Sequence, residues 1–169
     1  MAFDFQPTLN GPLVRVRPLR ADDFEALYEV ARDPLIWEQH PVPDRWEREK
    51  FTTFFEESLK CGGALLVVDA RSRAVVGSSR FHGYDEVNDE VEIGWTFLAR
   101  SHWRGDFNRA LKQMMVEHAH QHAERVVLLV APTNVRSLRA VEKIGGVRVG
   151  SRDDAGGRPS VEFEIRAAK

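Results

Sequence analysis

Hydrophobic and polar residues change their spacing several times along this chain, and each change marks a new element. From Leu13 to Arg17 apolar and polar side chains alternate, the two-residue period of a half-buried strand. Asn10-Gly11-Pro12 just before it reads as a turn. Ala21 to Arg32 then places Phe24, Leu27, Tyr28 and Ala31 at helical spacing, with one stripe turned inward. Asp33-Pro34 is expected to end that helix, because the residue before a proline disfavours helical geometry. A proline-punctuated loop follows and carries Trp37, His40 and Trp46. Glu47 to Leu59 returns to the helical period, with Phe51, Phe54, Phe55 and Leu59 on its inner side.

The second half is richer in strands. Ala64 to Asp69 and Val75 to Phe81 are β-rich runs parted by the polar turn Ala70 to Arg73, which predicts an antiparallel hairpin. Glu90 to Leu98 alternates again. That pattern sets Glu90, Glu92, Gly94 and Thr96 on one face and Val91, Ile93, Trp95 and Phe97 on the other. Asp106 to about His122 is a helix with Phe107, Leu111, Met114 and Met115 on one side. Val126 to Val130 is wholly apolar, as a strand covered on both faces would be. Asn134 to Ile144 forms a helix closed by Gly145-Gly146, since glycine readily takes the left-handed conformation that stops a helix. Val147 to Gly150 and Ser160 to Ile165 supply final strands. The order β, αα, β, β, β, α, β, α, β, β predicts one mixed α/β domain over residues 1–169, with an antiparallel front half and a helical crossover behind it.

Composition narrows the chemistry. The 169 residues suffice for a single sizeable core, and 43% hydrophobic with 30% charged content fits a soluble globular chain. A net charge of -2 removes the bulk electrostatic case for a nucleic-acid partner. Cys61 is the only cysteine, so no internal disulfide can form, and a buried or idle thiol in the cytoplasm is expected. The N-terminus lacks the apolar core of a signal peptide, and no apolar run reaches the length that spans a bilayer, so no membrane partner is expected. In the run His118-Ala119-His120-Gln121-His122, His118 and His122 are four apart and share a helix face, which suggests a metal, but no third ligand stands at zinc spacing and HExxH is absent. They are expected to form a solvated helix end, with no metal.

Several stretches together resemble a known family. Leu13-Val14-Arg15-Val16-Arg17-Pro18-Leu19 is similar to the family's opening strand, and Glu92-Ile93-Gly94-Trp95 followed by His102-Trp103 to its fourth strand and cofactor loop. Asn134-Val135-Arg136-Ser137 with Glu142-Lys143-Ile144-Gly145-Gly146 resembles its second cofactor motif. The chain is thus similar to the GNAT N-acetyltransferases, in the branch of the Rim-type ribosomal-protein N-terminal acetyltransferases. This resemblance implies a mostly antiparallel sheet, flanked by helices, whose fourth and fifth strands splay apart. It also implies acetyl-CoA as cosubstrate, and a small amine or a protein N-terminus as acceptor. A homodimer is compatible with it.

The resemblance also assigns residues. The backbone of Phe97, Leu98 and Ala99 would pair with the pantetheine arm of acetyl-CoA. The pyrophosphate would rest on the loop of Arg104, Gly105, Asp106, Phe107, Asn108 and Arg109, where helix-start amides attract anions. Asn134 would cap the next helix and face the pantetheine. Glu92 would serve as general base through a water, with Glu90 second, and Ser137 would protonate the leaving thiolate. Trp37, His40 and Trp46 fall where the family forms its acceptor wall. One departure stands inside the phosphate loop. The family pattern of Gln or Arg, two residues, Gly, one residue, then Gly or Ala falls on Trp103, Asp106 and Asn108, and none matches. Asp106 is placed to cap its helix with the same amides a phosphate needs, while Arg104 or Arg109 could offset its charge. A second reading therefore stays open, a GNAT-like binding module with a degenerate cofactor loop.

Overall fold

The computed structural model describes residues 2–168. Its strands are β1 (Leu9–Asn10), β2 (Val14–Pro18), β3 (Ala64–Asp69), β4 (Val75–Asp85), β5 (Glu90–Leu98), β6 (Arg125–Val130), β7 (Val147–Asp153) and β8 (Pro159–Arg166). They form one sheet in the order β1-β2-β3-β4-β5-β6-β8-β7. Only β5 and β6 run parallel; the other neighbours are antiparallel. The helices are α1 (Phe24–Ala31), α2 (Pro34–Trp37), α3 (Arg48–Lys60), α4 (Phe107–Ala119) and α5 (Val135–Lys143). This is the mixed, mostly antiparallel α/β architecture that the spacing predicts.

Alternation along the strands divides the core between the two faces of the sheet. On β3, Leu65 and Val67 pack with Leu111 and Met115 of α4. Ala64 and Leu66 turn the other way, to Leu27 of α1 and to Phe51, Phe54 and Phe55 of α3. Each face removes a continuous apolar layer from water, the dominant favourable term in folding.

The parallel pair is short, and this creates the gap that matters. β5 and β6 meet only at Glu90–Arg125, Val91–Val126 and Glu92–Val127. Beyond Glu92 the strands part, while β6 stays fully paired with β8 on its other side. The open edge of β5 therefore begins next to the Glu92 side chain. It is the splay expected between the fourth and fifth strands, one number higher here because the short β1 precedes them.

Three features depart from the pattern-based expectation. Asp33-Pro34 ends α1 but also starts α2: Asp33 caps it by accepting the Leu35 N–H at 3.1 Å, and Pro34 supplies the preset φ of a first helical turn. Strand β4 runs on to Asp85, with a register shift between His82 and Asp85 and Gly83 at φ 66°. The third departure bears on the site. Arg80 pairs with Gly94 and Ser78 with Phe97, so β5 holds one residue more than β4 over this interval. The extra residue is a bulge, and Trp95 sits there with φ 52°. The bulge reverses the alternation behind it. Thr96 and Leu98 join Val91 and Ile93 on the α4 side, whereas Trp95 and Phe97 join the cluster under α1 and α3. The strict alternation assigned Trp95, Thr96 and Phe97 to the wrong faces because a two-residue period cannot register an inserted residue.

Candidate functional site

Glu92 lies at the last β5–β6 pair, on the face covered by α1 and α3. Its register partner on β4 is His82, and two residues along Arg80 pairs with Gly94. Cross-strand partners hold their side chains close enough to interact, so Glu92, His82 and Arg80 form one group. A Cβ added to Gly94 would stand 3.1 Å from the Glu92 Oε2, so the carboxylate folds back over the glycine. Burial raises the Glu92 pKa to about 7, helped by Asp154 and Glu90 and opposed by Arg152 and Arg80. A carboxyl balanced near neutrality can accept a proton from a reacting group and release it afterwards.

The bulged Trp95 organises the surroundings. The Arg80 guanidinium lies 4.4 Å from its ring centroid, and the His82 ring meets it edge-on at 5.3 Å. Burial lowers the His82 pKa, and Arg80 lowers it further. A left-handed tryptophan costs about 1–3 kcal/mol and persists only where packing holds it; these two contacts help to hold it.

Glu90 has another task. Its carboxylate accepts from Arg125 Nη1 at 2.7 Å and Arg152 Nη1 at 2.8 Å. Glu162 shares both arginines, and Glu164 accepts from Arg125 Nε at 2.7 Å. Glu90 is thus one member of a network tying β5, β6, β7 and β8 together, and its place as second base candidate is withdrawn.

The loop between α2 and α3 brings His40 and Arg45 toward the same face. His40 Nδ1 accepts the Val42 N–H at 2.9 Å, so the proton of the neutral ring stands on Nε2. Burial, then Arg45 and Arg158, push its pKa down to about 4. Trp37 does not form an open wall. It is 2% exposed, donates its indole N–H to the Ala31 carbonyl at 2.8 Å, and packs on Phe97 at 5.0 Å. It supports the floor beneath His40, which meets it edge-on at 5.3 Å. Trp46 is 37% exposed, and its carbonyl accepts from the Tyr28 hydroxyl of α1 at 2.9 Å.

Comparison with known proteins decides the family. A model of the acetyltransferase (GNAT) domain matches residues 14–147. The chain belongs to the GNAT acetyltransferase family. Comparison with curated protein sequences finds no match. Among solved structures, a Vibrio cholerae protein provisionally described as a ribosomal-protein-serine acetyltransferase aligns with 99% of this chain and 100% of its own, at TM-score 0.77 and 15% identity. Spermidine N-acetyltransferase from Vibrio cholerae, in complex with CoA and spermine, covers 92% of this chain and 96% of its own, at TM-score 0.68 and 14% identity. The Microcin C7 self-immunity acetyltransferase MccE, in complex with acetyl-CoA and AMP, covers 97% and 99%, at TM-score 0.76 and 13% identity. At these identities the likeness is one of fold.

Against the GNAT frame, the residues assigned to the cosubstrate fall in two groups. On the open edge of β5, the Ala99 N–H donates to Val76 at 2.7 Å and so faces β4. Leu98 faces the splay, where its carbonyl accepts the Trp103 indole N–H at 2.8 Å. By alternation Phe97 shares the Ala99 orientation. Of the three backbone units, Leu98 is therefore the one turned toward the gap, and Trp103 already reaches it. Arg136 of α5 covers the same indole at 4.0 Å, joining both cofactor motifs across the opening. Ala99 also borders an open cleft of about 550 Å³, which the Arg100–Asp33 ion pair lines at 2.5 Å.

The helix-start group answers the question that Asp106 raises. Asp106 occupies the N-cap position of α4, yet its side chain accepts no capping bond and is exposed. The first-turn amides of Phe107, Asn108 and Arg109 are not taken by its carboxylate. Gly105 before it adopts φ 83°, a left-handed turn suited to glycine, and Arg104 and Arg109 are exposed on either side. On α5, Asn134 Oδ1 accepts the Ser137 N–H at 3.3 Å, the expected cap; this bond uses the Ser137 amide and not its hydroxyl.

Some residues of the site had no sequence signal. His82 and Arg80 emerge only from strand register, and the bond of Trp103 back to Leu98 only from the path of the loop. Lys112 of α4 is 7% exposed, donates to Thr96 Oγ1 at 3.0 Å, and has its pKa lowered to about 8 by burial. The histidine run also differs from expectation. His118 is 8% exposed and donates from Nε2 to the Asp4 carbonyl at 2.8 Å, so it ties the N-terminal segment to α4. Among the described residues no three His, Cys, Asp or Glu side chains gather as a metal site. Cys61 is exposed, its thiol donating to the Ser58 carbonyl at 3.1 Å. No helix of the described residues is long and apolar enough to cross a membrane.

Proposed function

We propose that this protein transfers an acetyl group from acetyl-CoA to a primary amine by direct attack within a ternary complex. The observation that carries the reading is Glu92, a carboxyl raised to about 7 by burial at the mouth of the β5–β6 splay. The acceptor nitrogen gives up its proton to Glu92 through a water, and its lone pair attacks the thioester carbonyl. The new C–N bond forms, the C–S bond breaks, and the departing thiolate takes a proton from the Ser137 hydroxyl, which regains one from solvent as Glu92 releases its own. The free amides at the α4 start, with Arg104 and Arg109, would receive the pyrophosphate, and Leu98 with Asn134 would receive the pantetheine arm. Two structural neighbours are complexed with CoA or acetyl-CoA, which supports this choice of cosubstrate. The acceptor class spans small amines and protein N-termini, including the ribosomal protein substrates named for one neighbour.

Titration calorimetry with acetyl-CoA tests the cosubstrate, and release of CoA in the presence of an amine panel tests the transfer. Glu92→Gln should lose turnover at least about a hundredfold, in line with a positioned general base, while binding acetyl-CoA with unchanged affinity. Absence of heat and of thermal shift at millimolar acetyl-CoA would favour the binding-module reading, for which the Trp103–Leu98 contact across the open edge is the supporting observation.

A further inference from the structure

The face that carries Glu92 also gathers three arginines from distant parts of the chain. Arg45 comes from the loop before α3, Arg80 from β4 and Arg158 from the turn between β7 and β8. The Arg45 guanidinium lies 4.3 Å from the Phe54 ring centroid and 5.5 Å from that of Trp37. Arg80 lies 5.8 Å from the same Phe54 ring and 4.4 Å from Trp95. Two cations thus flank one phenylalanine. Burial, and after it the Arg158 charge, pushes the Arg45 pKa down to about 10, and the Arg158 charge acts on His40 as well.

None of the three forms an ion pair with a carboxylate among the described residues, although other arginines of this protein do. Arg17 holds Asp23 at 2.7 Å, and Arg125 and Arg152 hold Glu90 and Glu162. Glu57, Asp44 and Glu92 act on Arg45 and Arg80 only at longer range, and Asp154, which accepts the Arg158 backbone N–H at 2.9 Å, makes no ion pair with its guanidinium. Arg80 is 7% exposed; it donates to Ser58 Oγ at 2.8 Å, and its Nε has no partner at all. A buried guanidinium with an idle donor is expensive unless an anion completes it. Carboxylate and phosphate fit that planar fork with two parallel hydrogen bonds.

We propose that Arg45, Arg80 and Arg158 form an anion subsite of the acceptor pocket, so that the amine accepted here carries its own carboxylate or phosphate. This rests on the reading of Glu92 as the group that takes the acceptor's proton: the amine sits at Glu92 and the anion at the arginines beside it. Phe54, Trp37 and Trp95 hold the guanidinium planes in place before the ligand arrives. Polycationic acceptors are disfavoured by the same three charges.

Binding can be measured apart from transfer with amine-free probes, following tryptophan fluorescence or heat. Phenylphosphate and phenylacetate should each be compared with neutral benzyl alcohol. At least one anion should bind saturably and about tenfold or more tightly than the alcohol, as charge-assisted paired bonds imply. Tighter phenylphosphate assigns the natural anion as phosphate, and tighter phenylacetate as carboxylate. Arg45→Gln and Arg158→Gln should each weaken the preferred anion about tenfold; Arg158 lies in an exposed turn, so its variant remains informative if Arg80→Gln fails to fold. Equal binding of the alcohol and the anions, or unchanged anion binding in both folded variants, overturns the subsite. Acetyl transfer to phenylalanine and to phenylalaninamide then separates the two ideas. Turnover that favours the amide, with no anion binding, defeats the subsite and leaves the acetyltransferase reading standing. Anion binding without turnover of any amine does the reverse.

Discussion

Glu92→Gln should make the protein more stable while it lowers turnover at least about a hundredfold, and the gain in stability should depend on pH. The ordinary pKa of 4.5 is raised to about 7 in the fold, chiefly by burial. Below pH 4.5 both the folded and the unfolded chain hold the proton, and Glu92 costs nothing. As pH rises from 4.5 toward 7, the unfolded chain releases the proton and the folded one retains it, so stability falls. Above 7 the loss levels off at about 3 kcal/mol, from 1.36 kcal/mol for each unit of displacement. That figure is an upper bound, because the side chain keeps partial contact with solvent. Glutamine has a similar shape and no charge to desolvate, so it recovers up to this amount. For a chain of this length roughly 2–4 °C accompanies each kcal/mol, so Tm should rise by up to roughly 6–12 °C at pH 8.5 and hardly at all at pH 4.5. Differential scanning calorimetry of both proteins across this range gives the answer. A Tm difference that stays flat with pH, or a less stable variant at pH 8.5, would falsify the account of Glu92 as a carboxyl destabilised by burial. In active protein, kcat/KM should climb with a midpoint near 7 as the base ionises.

Other expectations are more local. Gly94→Ala places a methyl 3.1 Å from Glu92 Oε2, where the flexible carboxylate must move aside; kcat should fall about tenfold with little change in Tm, which kinetics and calorimetry together would show. Trp103→Phe removes the indole donor from the Leu98 carbonyl and frees the open edge of β5; acetyl-CoA should bind about fivefold more tightly by calorimetry, from roughly 1 kcal/mol for the bond no longer displaced. Lys112→Met replaces a buried ammonium whose pKa has fallen to about 8. The charge burdens the folded state at and below that value, so the variant should be more stable at pH 7, with the advantage shrinking as pH rises from 8 toward 10.5.

The order of elements was legible in the sequence because each depends on a local period. The alternating run Glu90 to Leu98 and the helical stripe of Phe51, Phe54 and Phe55 stand where the spacing places them. Asp33-Pro34 shows the limit of local signals, since the same dipeptide ends one helix and begins the next. Of the candidate site, the sequence pointed to Glu92 and the two cofactor motifs, whose residues lie close together in the chain. Arg45, Arg80 and Arg158 come from three segments and meet only through the sheet register and the loop over it. Glu90 and Glu92 look equivalent in sequence, and pairing with Arg125 and Arg152 separates them. The Trp103 indole reaches Leu98 across a loop whose path no periodicity reports.

The bulge at Trp95 has a consequence for how this protein can vary. Substitution within β5 alters one side chain, but deletion of a single residue between Gly94 and Phe97 would remove the inserted position and restore a regular ladder. Every residue behind the deletion would then exchange faces: Phe97 would leave the aromatic layer under α3, and Leu98 would lose its place against α4. The segment tolerates changes of identity far better than changes of length. It behaves as a fixed count, setting the frame in which one strand serves the Glu92 pocket on one side and an open edge at its end.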